Sequence, residues 1–122
     1  MARIESIQQV FDLLPRYFRP EQARGVRADV QFEIEGPGGG TWWVHIEDGR
    51  LEVHAQPAPK TPDLLVRMKE QDYWALLRGE LDPLWAYMRG RLQLRGNVQL
   101  AYRLQGLFRM PEAGWDQDQP AA

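Results

Sequence analysis

The residues best suited to chemistry are two histidines on neighbouring predicted strands. His45 and His54 flank the dipeptide Asp48-Gly49, and period-two alternation places both on the polar side of a hairpin, near Glu52. Imidazole and carboxylate groups together could hold a metal ion. The hairpin brings no third ligand close to them, so we interpret them as cross-strand polar neighbours. We predict neither a metal site nor a cofactor.

Covalent catalysis has few candidate residues. The chain has no cysteine, and its single serine, Ser6, lies where the first helix is predicted to begin. A serine at that position is typical of a helix cap or a surface residue rather than a nucleophile. Glu33 and Glu35 alternate along the polar face of a strand, where carboxylates normally serve solubility. We therefore predict that the protein is not an enzyme.

The glycine-rich segment 36–40 invites comparison with a phosphate-binding loop. It lacks the terminal Lys-Ser/Thr of such loops, and it precedes a strand rather than a helix. We interpret it as the connection of a hairpin.

The elements that position these residues follow from hydrophobic periodicity. Period two predicts strands over 28–35, 41–47, 50–56, 63–68 and 91–95, and period 3.6 predicts helices over 4–18, 72–78, 82–88 and 97–108. Pro15 should break or kink the first helix, leaving 16–19 as a separate turn. Asp82 and Asn97 are expected to cap the last two helices.

Asp48-Gly49 is a strong signal for a type I′ hairpin turn. A two-residue loop fixes the register of its strands. The predicted apolar pairs are Ile46 with Leu51, Val44 with Val53, and Trp42 with Ala55. Trp43 and His45 then lie on the opposite side, near His54 and Glu52.

The late helices carry more large apolar side chains than a short domain needs. They are Trp74, Leu77, Leu81, Leu84, Trp85, Met88, Leu100, Leu104, Leu107 and Phe108. Such a surplus can fill a solid core or border a cavity, and the same binary pattern serves both. The pattern alone leaves the two alternatives open.

Length and composition limit the class of protein. The 122 residues suffice for one domain, which we place at 1–110, followed by a flexible tail at 111–122. The net charge of -2, from 15 basic and 17 acidic residues, gives no basic footprint for nucleic acid. No apolar run approaches the ~18 residues of a membrane span, so no stable membrane insertion is expected, and a cytoplasmic location is predicted.

A series of short motifs runs through the chain in a fixed order. They are Leu14-Pro15-Arg16-Tyr17-Phe18, Val30-Gln31-Phe32, Glu47-Asp48-Gly49, Pro62-Asp63-Leu64, Trp74-Ala75-Leu76-Leu77-Arg78-Gly79, Leu81-Asp82-Pro83, Ala86-Tyr87-Met88-Arg89-Gly90-Arg91-Leu92-Gln93-Leu94-Arg95-Gly96-Asn97, Leu100-Ala101 and Leu104. Over residues 5–108 this pattern resembles the sterol-carrier-protein-2 family. Arg91 and Asn97 stand where that family more often has Lys and Asp, and Trp85 is bulkier than usual.

The resemblance implies an α/β (α+β) fold with a five-stranded, mostly antiparallel mixed sheet. Helices would cover one face of the sheet, with an apolar tunnel between the two layers. A tunnel of this kind implies a long-chain lipid ligand. Arg89, Arg91 and Arg103 are candidates to meet its headgroup, and the alternative is that they are ordinary surface charges. The predicted lipid-contacting residues are Phe11, Leu14, Phe32, Trp74, Leu77, Leu81, Leu84, Trp85, Met88, Leu100, Leu104, Leu107 and Phe108.

Three functional hypotheses stay open at this stage. The first is a non-enzymatic carrier of fatty acid, acyl-CoA, or sterol-like or isoprenoid lipid. The second is an accessory protein that presents a polyisoprenoid or quinone precursor to a partner enzyme. The third is an enzyme that uses the pocket. A homodimer is compatible with each of them.

Overall fold

The structure, a computed structural model, describes residues 4–108. Its strands are β1 (Arg27–Glu35), β2 (Gly40–Glu47), β3 (Arg50–His54), β4 (Leu64–Lys69) and β5 (Leu92–Gly96). Its α-helices are α1 (Ile7–Tyr17), α2 (Glu70–Leu77), α3 (Pro83–Met88) and α4 (Val98–Leu107), with a single 3-10 turn at Pro20–Gln22. The predicted order of elements is confirmed. The proposed domain end at 110 and the tail at 111–122 lie outside the described residues.

The five strands form one mixed sheet in the order β3-β2-β1-β4-β5. Only the pair β1–β4 is parallel, and the other three pairs are antiparallel. The connector between β3 and β4 crosses the polar face of the sheet, where the Ala58 N–H donates to the Gln31 side chain at 2.9 Å. At the end of the crossing the Asp63 carboxylate accepts from the Asp29 N–H at 2.8 Å.

The β2–β3 hairpin has the predicted turn and register. Asp48 and Gly49 have φ angles of 44° and 85°, and a type I′ turn requires positive values at both positions. Val44 pairs with Val53, and Ile46 pairs with Leu51. The predicted pairing of Trp42 with Ala55 is wrong, because β3 ends at His54, where the chain bends towards the proline-rich connector.

Helix α1 begins at a capping box and continues past its proline. The Gln9 N–H donates to the Ser6 hydroxyl at 3.2 Å, and the Gln9 side chain accepts from the Ser6 N–H, so the prediction of a cap at Ser6 is confirmed. The predicted break at Pro15 is wrong, because the helix runs on to Tyr17. Pro15 removes one hydrogen bond in the last turn, and the buried Phe11 and Phe18 hold that turn against the core on either side.

The core lies between the apolar face of the sheet and the helices. Phe11 of α1 is fully buried, stacked on Trp42 at 4.5 Å between ring centroids and edge-on to Phe32 at 5.2 Å. Helix α4 closes the other side, and its last turn is joined to the 3-10 turn by a hydrogen bond from Arg19 N–H to Leu107 O at 2.8 Å. The apolar periodicity of each element therefore points into one shared interior.

Two helix starts in the second half differ from each other. The Asp82 carboxylate accepts from the Trp85 N–H at 3.4 Å and caps α3 as predicted. The side chain of Asn97 makes no capping hydrogen bond, so that prediction is wrong. The backbone N–H of Asn97 instead donates to Asp63 O at 2.8 Å, which ties the start of α4 to the start of β4.

Candidate functional site

A cavity of about 380 Å³ opens at the corner between α2 and α3. Leu81 and Trp85 supply its apolar surface, and the other lining residues are Glu80, Asp82, Arg89 and Arg91. This volume lies within the range of small-molecule sites, roughly 300–1,000 Å³. An apolar wall beside guanidinium groups suits an amphiphile that carries an anionic head.

The local fold of α3 explains the geometry of this corner. Its cap at Asp82 and the proline at its first position start the helix abruptly after α2. Arg89 follows Trp85 by four residues, so the two side chains share one helix face, and the Arg89 guanidinium lies 4.7 Å from the ring centroid. The aromatic ring and the cation therefore form a single surface at the cavity.

Arg91 is held in place by a buried carboxylate. Its guanidinium donates to Asp72 Oδ1 from Nη2 at 2.6 Å and from Nε at 3.2 Å, and Asp72 is only 4% exposed. The hydrogen bonds to Asp72, together with its negative charge, raise the pKa of Arg91. Arg91 therefore stays cationic at every physiological pH, at the junction of α2, α3 and β5.

A second cavity of about 340 Å³ shares Arg91 and Asp72 with the first. Its remaining lining is mainly polar and consists of Glu35, Arg67, Met68, Lys69, Gln71, Gly90 and Gln93. Arg67 is already neutralised there, at 2.9 Å from Glu33 and 3.6 Å from Glu35. Of the two cavities, the one beside α3 therefore has the more apolar lining.

The thirteen predicted lipid-contacting residues occupy three different environments. Phe11, Trp74, Leu100 and Leu107 are buried; Leu14, Phe32, Leu77, Leu81, Leu104 and Phe108 are half-buried; Leu84, Trp85 and Met88 are exposed. Of this set, only Leu81 and Trp85 line the cavity at the α2–α3 corner.

Aromatic side chains pack between α1 and the sheet in the described structure. The rings of Phe11, Trp42 and Tyr73 lie nearly parallel, with Tyr73 at 5.9 Å from Phe11. Neither cavity described above is the enclosed tunnel that the resemblance implies, because both lie at the edge of this layer. The interior members Phe11 and Phe32 contact each other in this layer, and their contact with a lipid stays a prediction.

The three arginines predicted to lie near a lipid headgroup also differ in their positions. Arg89 and Arg91 line the cavity, whereas the exposed Arg103 of α4 lies outside both cavities described. Sequence reasoning missed Asp72, which fixes Arg91. The sequence offered one indication of this role: Asp72 directly precedes the apolar pair Tyr73-Trp74. A carboxylate that is buried with such a pair needs a cation or hydrogen-bond donors as partners.

The polar face of the sheet holds a separate hydrogen-bonded group. Asp29 Oδ1 accepts from Trp43 Nε1 at 2.8 Å and lies 2.6 Å from His45 Nδ1, and Trp43 stacks on His54 at 4.6 Å. The contacts of His45 with two carboxylates raise its pKa. The main cause is the hydrogen bond to Asp29, and the contact with Glu47 adds to it. Residues 4–108 contain no group of three or more potential metal ligands.

The profile of the SCP-2 sterol transfer family matches residues 8–109. The chain belongs to this family. The match covers the whole sheet and every helix except the first residue of α1, and the family's domains bind and transfer lipids. The resemblance to the SCP-2 family found in the sequence is therefore confirmed.

Two relatives illustrate the range of proteins that carry an SCP-2 domain. The chain is 30% identical over 104 residues to hydroxysteroid dehydrogenase-like protein 2 of Rattus norvegicus, covering 84% of this chain and 20% of the relative. It is 35% identical over 79 residues to human sterol carrier protein 2, covering 63% of this chain and 14% of the relative. The chain spans about a fifth of the length of the dehydrogenase-like relative.

Solved structures confirm the SCP-2 fold. The crystal structure of sterol carrier protein 2 like 2 from Aedes aegypti superposes with a TM-score of 0.63 at 21% identity, covering 84% of this chain and 92% of that one. The ubiquinone synthesis protein UbiJ-SCP2 superposes with a TM-score of 0.61 at 16% identity, covering 82% and 90%. The predicted five-stranded mixed sheet with helices is thus confirmed. Within the described residues, no helix combines the length and the apolar character that crossing a membrane requires.

Proposed function

We propose that this SCP-2 domain is a non-enzymatic, cytoplasmic carrier of long-chain fatty acid or fatty acyl-CoA. The observation that carries the proposal is the cavity at the α2–α3 corner, where Leu81 and Trp85 face the guanidinium groups of Arg89 and Arg91. An acyl chain would lie on the two apolar side chains, and its carboxylate or phosphate would accept hydrogen bonds from the arginines.

The two arginines contribute differently to such a site. Arg91 is fixed by Asp72 and offers a preorganised cation, which lowers the cost of ordering on binding. Arg89 takes part in no ion pair among residues 4–108, and its charge is free to meet an anionic head. Together they favour an acidic amphiphile over a neutral one.

The acyl chain is expected to extend beyond the cavity into the interior. Burying ~16 methylene groups stabilises a complex by on the order of 12 kcal/mol, at ~0.8 kcal/mol each. Association costs offset several kcal/mol of this, which leaves roughly micromolar affinity. The other predicted lining residues of α1, α2 and α4 remain the proposed path of the chain, which would have to displace packed side chains.

Titration with a fluorescent fatty acid tests the carrier. We expect saturable binding of one molecule per chain, displaced by palmitate, and about tenfold weaker binding in the double variant Leu81→Ser/Arg89→Gln. The matched control is Val98→Ser/Arg103→Gln on α4, which also removes one aliphatic and one basic side chain outside the cavity. The absence of saturable binding by the wild type would refute the carrier.

A second candidate function is an accessory role, in which the domain presents a polyisoprenoid or quinone precursor to a partner enzyme. The likeness to UbiJ-SCP2 favours this candidate at the level of the fold. Native mass spectrometry of the purified protein separates the two roles, because a co-purified acyl lipid supports the carrier and an isoprenoid supports the accessory protein. The same spectrum shows whether the chain forms a homodimer.

A further inference from the structure

Helix α3 leaves most of its large side chains in solvent. Leu84 is 64% exposed, Trp85 56%, Tyr87 43% and Met88 73%. Only Ala86 of this six-residue helix is buried. A concentration of large apolar side chains at the surface is typical of a protein-binding or membrane-binding site.

The fold explains why α3 is so poorly covered. It packs mainly against β5, the strand at the edge of the sheet, and both β5 and α3 are short. The N–H of Arg91 donates to Ala86 O at 2.8 Å, which ends the helix and turns the chain towards β5. No other helix in the described structure covers the opposite side.

The charges around α3 favour an anionic partner. Residues 83–108 contain four arginines and no Asp or Glu, although the whole chain has a net charge of -2. Of the two carboxylates that precede the helix, Glu80 is paired with Arg78 at 3.1 Å, and Asp82 caps the end of α3 opposite to Arg89. Arg91 is paired with Asp72, whereas Arg89 has no ion-pair partner among residues 4–108 and places its positive charge beside the apolar surface.

We propose that α3 is a docking surface for an anionic lipid bilayer. Leu84, Trp85 and Met88 would enter the boundary between headgroups and acyl chains, and Arg89 would lie at the level of the phosphates. Trp and Tyr suit this boundary because one part of each ring system is apolar and the other is polar, and Arg suits it because its stem is apolar and its head charged. Each basic residue near such a surface strengthens binding roughly fivefold.

The docking surface lies beside the α2–α3 cavity, which Trp85 and Arg89 also line. Its exposed side chains form a convex helix face beside the mouth of the α2–α3 cavity. Docking on a bilayer would bring that mouth against the lipid phase, where a ligand could pass without crossing water. The inference goes beyond the proposed carrier function, because binding to a bilayer requires no bound ligand.

Co-sedimentation with phosphatidylcholine vesicles, with and without phosphatidylserine, tests the docking surface. We expect the wild type to bind the phosphatidylserine vesicles most tightly, and Leu84→Ser/Met88→Ser to bind them about tenfold more weakly. Arg89→Gln should lose several-fold affinity on phosphatidylserine vesicles and little on phosphatidylcholine alone. The control is Val98→Ser/Tyr102→Ser, which removes two exposed apolar side chains of α4.

Several results would overturn the docking surface. They are a wild type that does not sediment with either vesicle, an α3 variant that binds as tightly as the wild type, and equal losses in the α4 control. If the wild type is a dimer and Leu84→Ser/Met88→Ser makes it a monomer, the surface binds a second copy of the chain instead. Fatty-acid titration of the same α3 variant in vesicle-free solution should be unchanged, so a failure of the carrier function and a failure of docking give different results.

Discussion

Arg91 donates two hydrogen bonds to Asp72, which is 19 residues earlier in the chain and almost fully buried. The pair joins α2 to the turn between α3 and β5, and it places a cation between two cavities. A buried carboxylate that loses its partner is more costly than the pair itself is stabilising. This one contact therefore links the stability of the domain to the electrostatics of its proposed ligand site.

The first prediction concerns this pair. Arg91→Gln should lower the free energy of unfolding by about 1–3 kcal/mol, because it leaves the Asp72 carboxylate buried without its cation. Asp72→Asn in the same chain should restore part of the loss by removing the unpaired charge. Urea unfolding measures both changes. Arg95→Gln on β5 is the control, and an Arg91 variant as stable as that control would contradict the prediction.

The second prediction concerns pH. His45 has a raised pKa, so the folded state favours its charged form, and this contribution to stability is complete below the unfolded pKa of about 6.5. It is lost as the pH rises through the folded pKa of His45. Asp29 has a lowered pKa: burial alone would raise it, but the hydrogen bonds from His45 and Trp43 outweigh burial. Its contribution is lost as the pH falls through its folded pKa.

The measurement for this prediction is urea unfolding as a function of pH, together with an NMR titration of His45. Wild-type stability should decline from mildly acidic towards alkaline pH, and His45→Gln should remove most of that decline. His54→Gln, on the neighbouring strand, should retain it. An unchanged decline in the His45 variant would assign the pH dependence to another group.

The third prediction compares two helix starts. Ser6→Ala should cost about 1 kcal/mol, because the Ser6 hydroxyl accepts from the Gln9 N–H in a capping box. Asn97→Ala should cost less than about 0.5 kcal/mol, because the Asn97 side chain makes no capping bond. Thermal unfolding of both variants measures the difference. Equal costs would mean that Asn97 caps α4 in solution after all.

Much of the fold could be predicted from the sequence because the information is local. Asp48-Gly49 and its flanking alternation decide a turn type and a register within about ten residues. Ser6 and Asp82 mark helix starts through side chains that bond only three residues away. Pro15 shows the limit of local rules, because its cost inside α1 is outweighed by the packing of the residues around it.

The candidate site was predictable only in part. Leu81, Trp85, Arg89 and Arg91 were identified from the apolar surplus and the resemblance. The same reasoning placed Leu84 and Met88 beside the ligand, whereas the structure has them at the surface. Helical periodicity defines which side chains share a face, but not whether another element covers that face.

The sequence by itself determined the class of this protein: an α/β fold of the SCP-2 sterol transfer family, with its strands, its hairpin register and most of its helix limits. The tertiary structure alone decided three further features. The connector crosses the polar face and sets β4 beside β1, Asp72 meets Arg91, and α3 stays uncovered at the edge of the sheet. Each depends on contacts between distant segments, which form only when the buried faces of all the elements are packed at once.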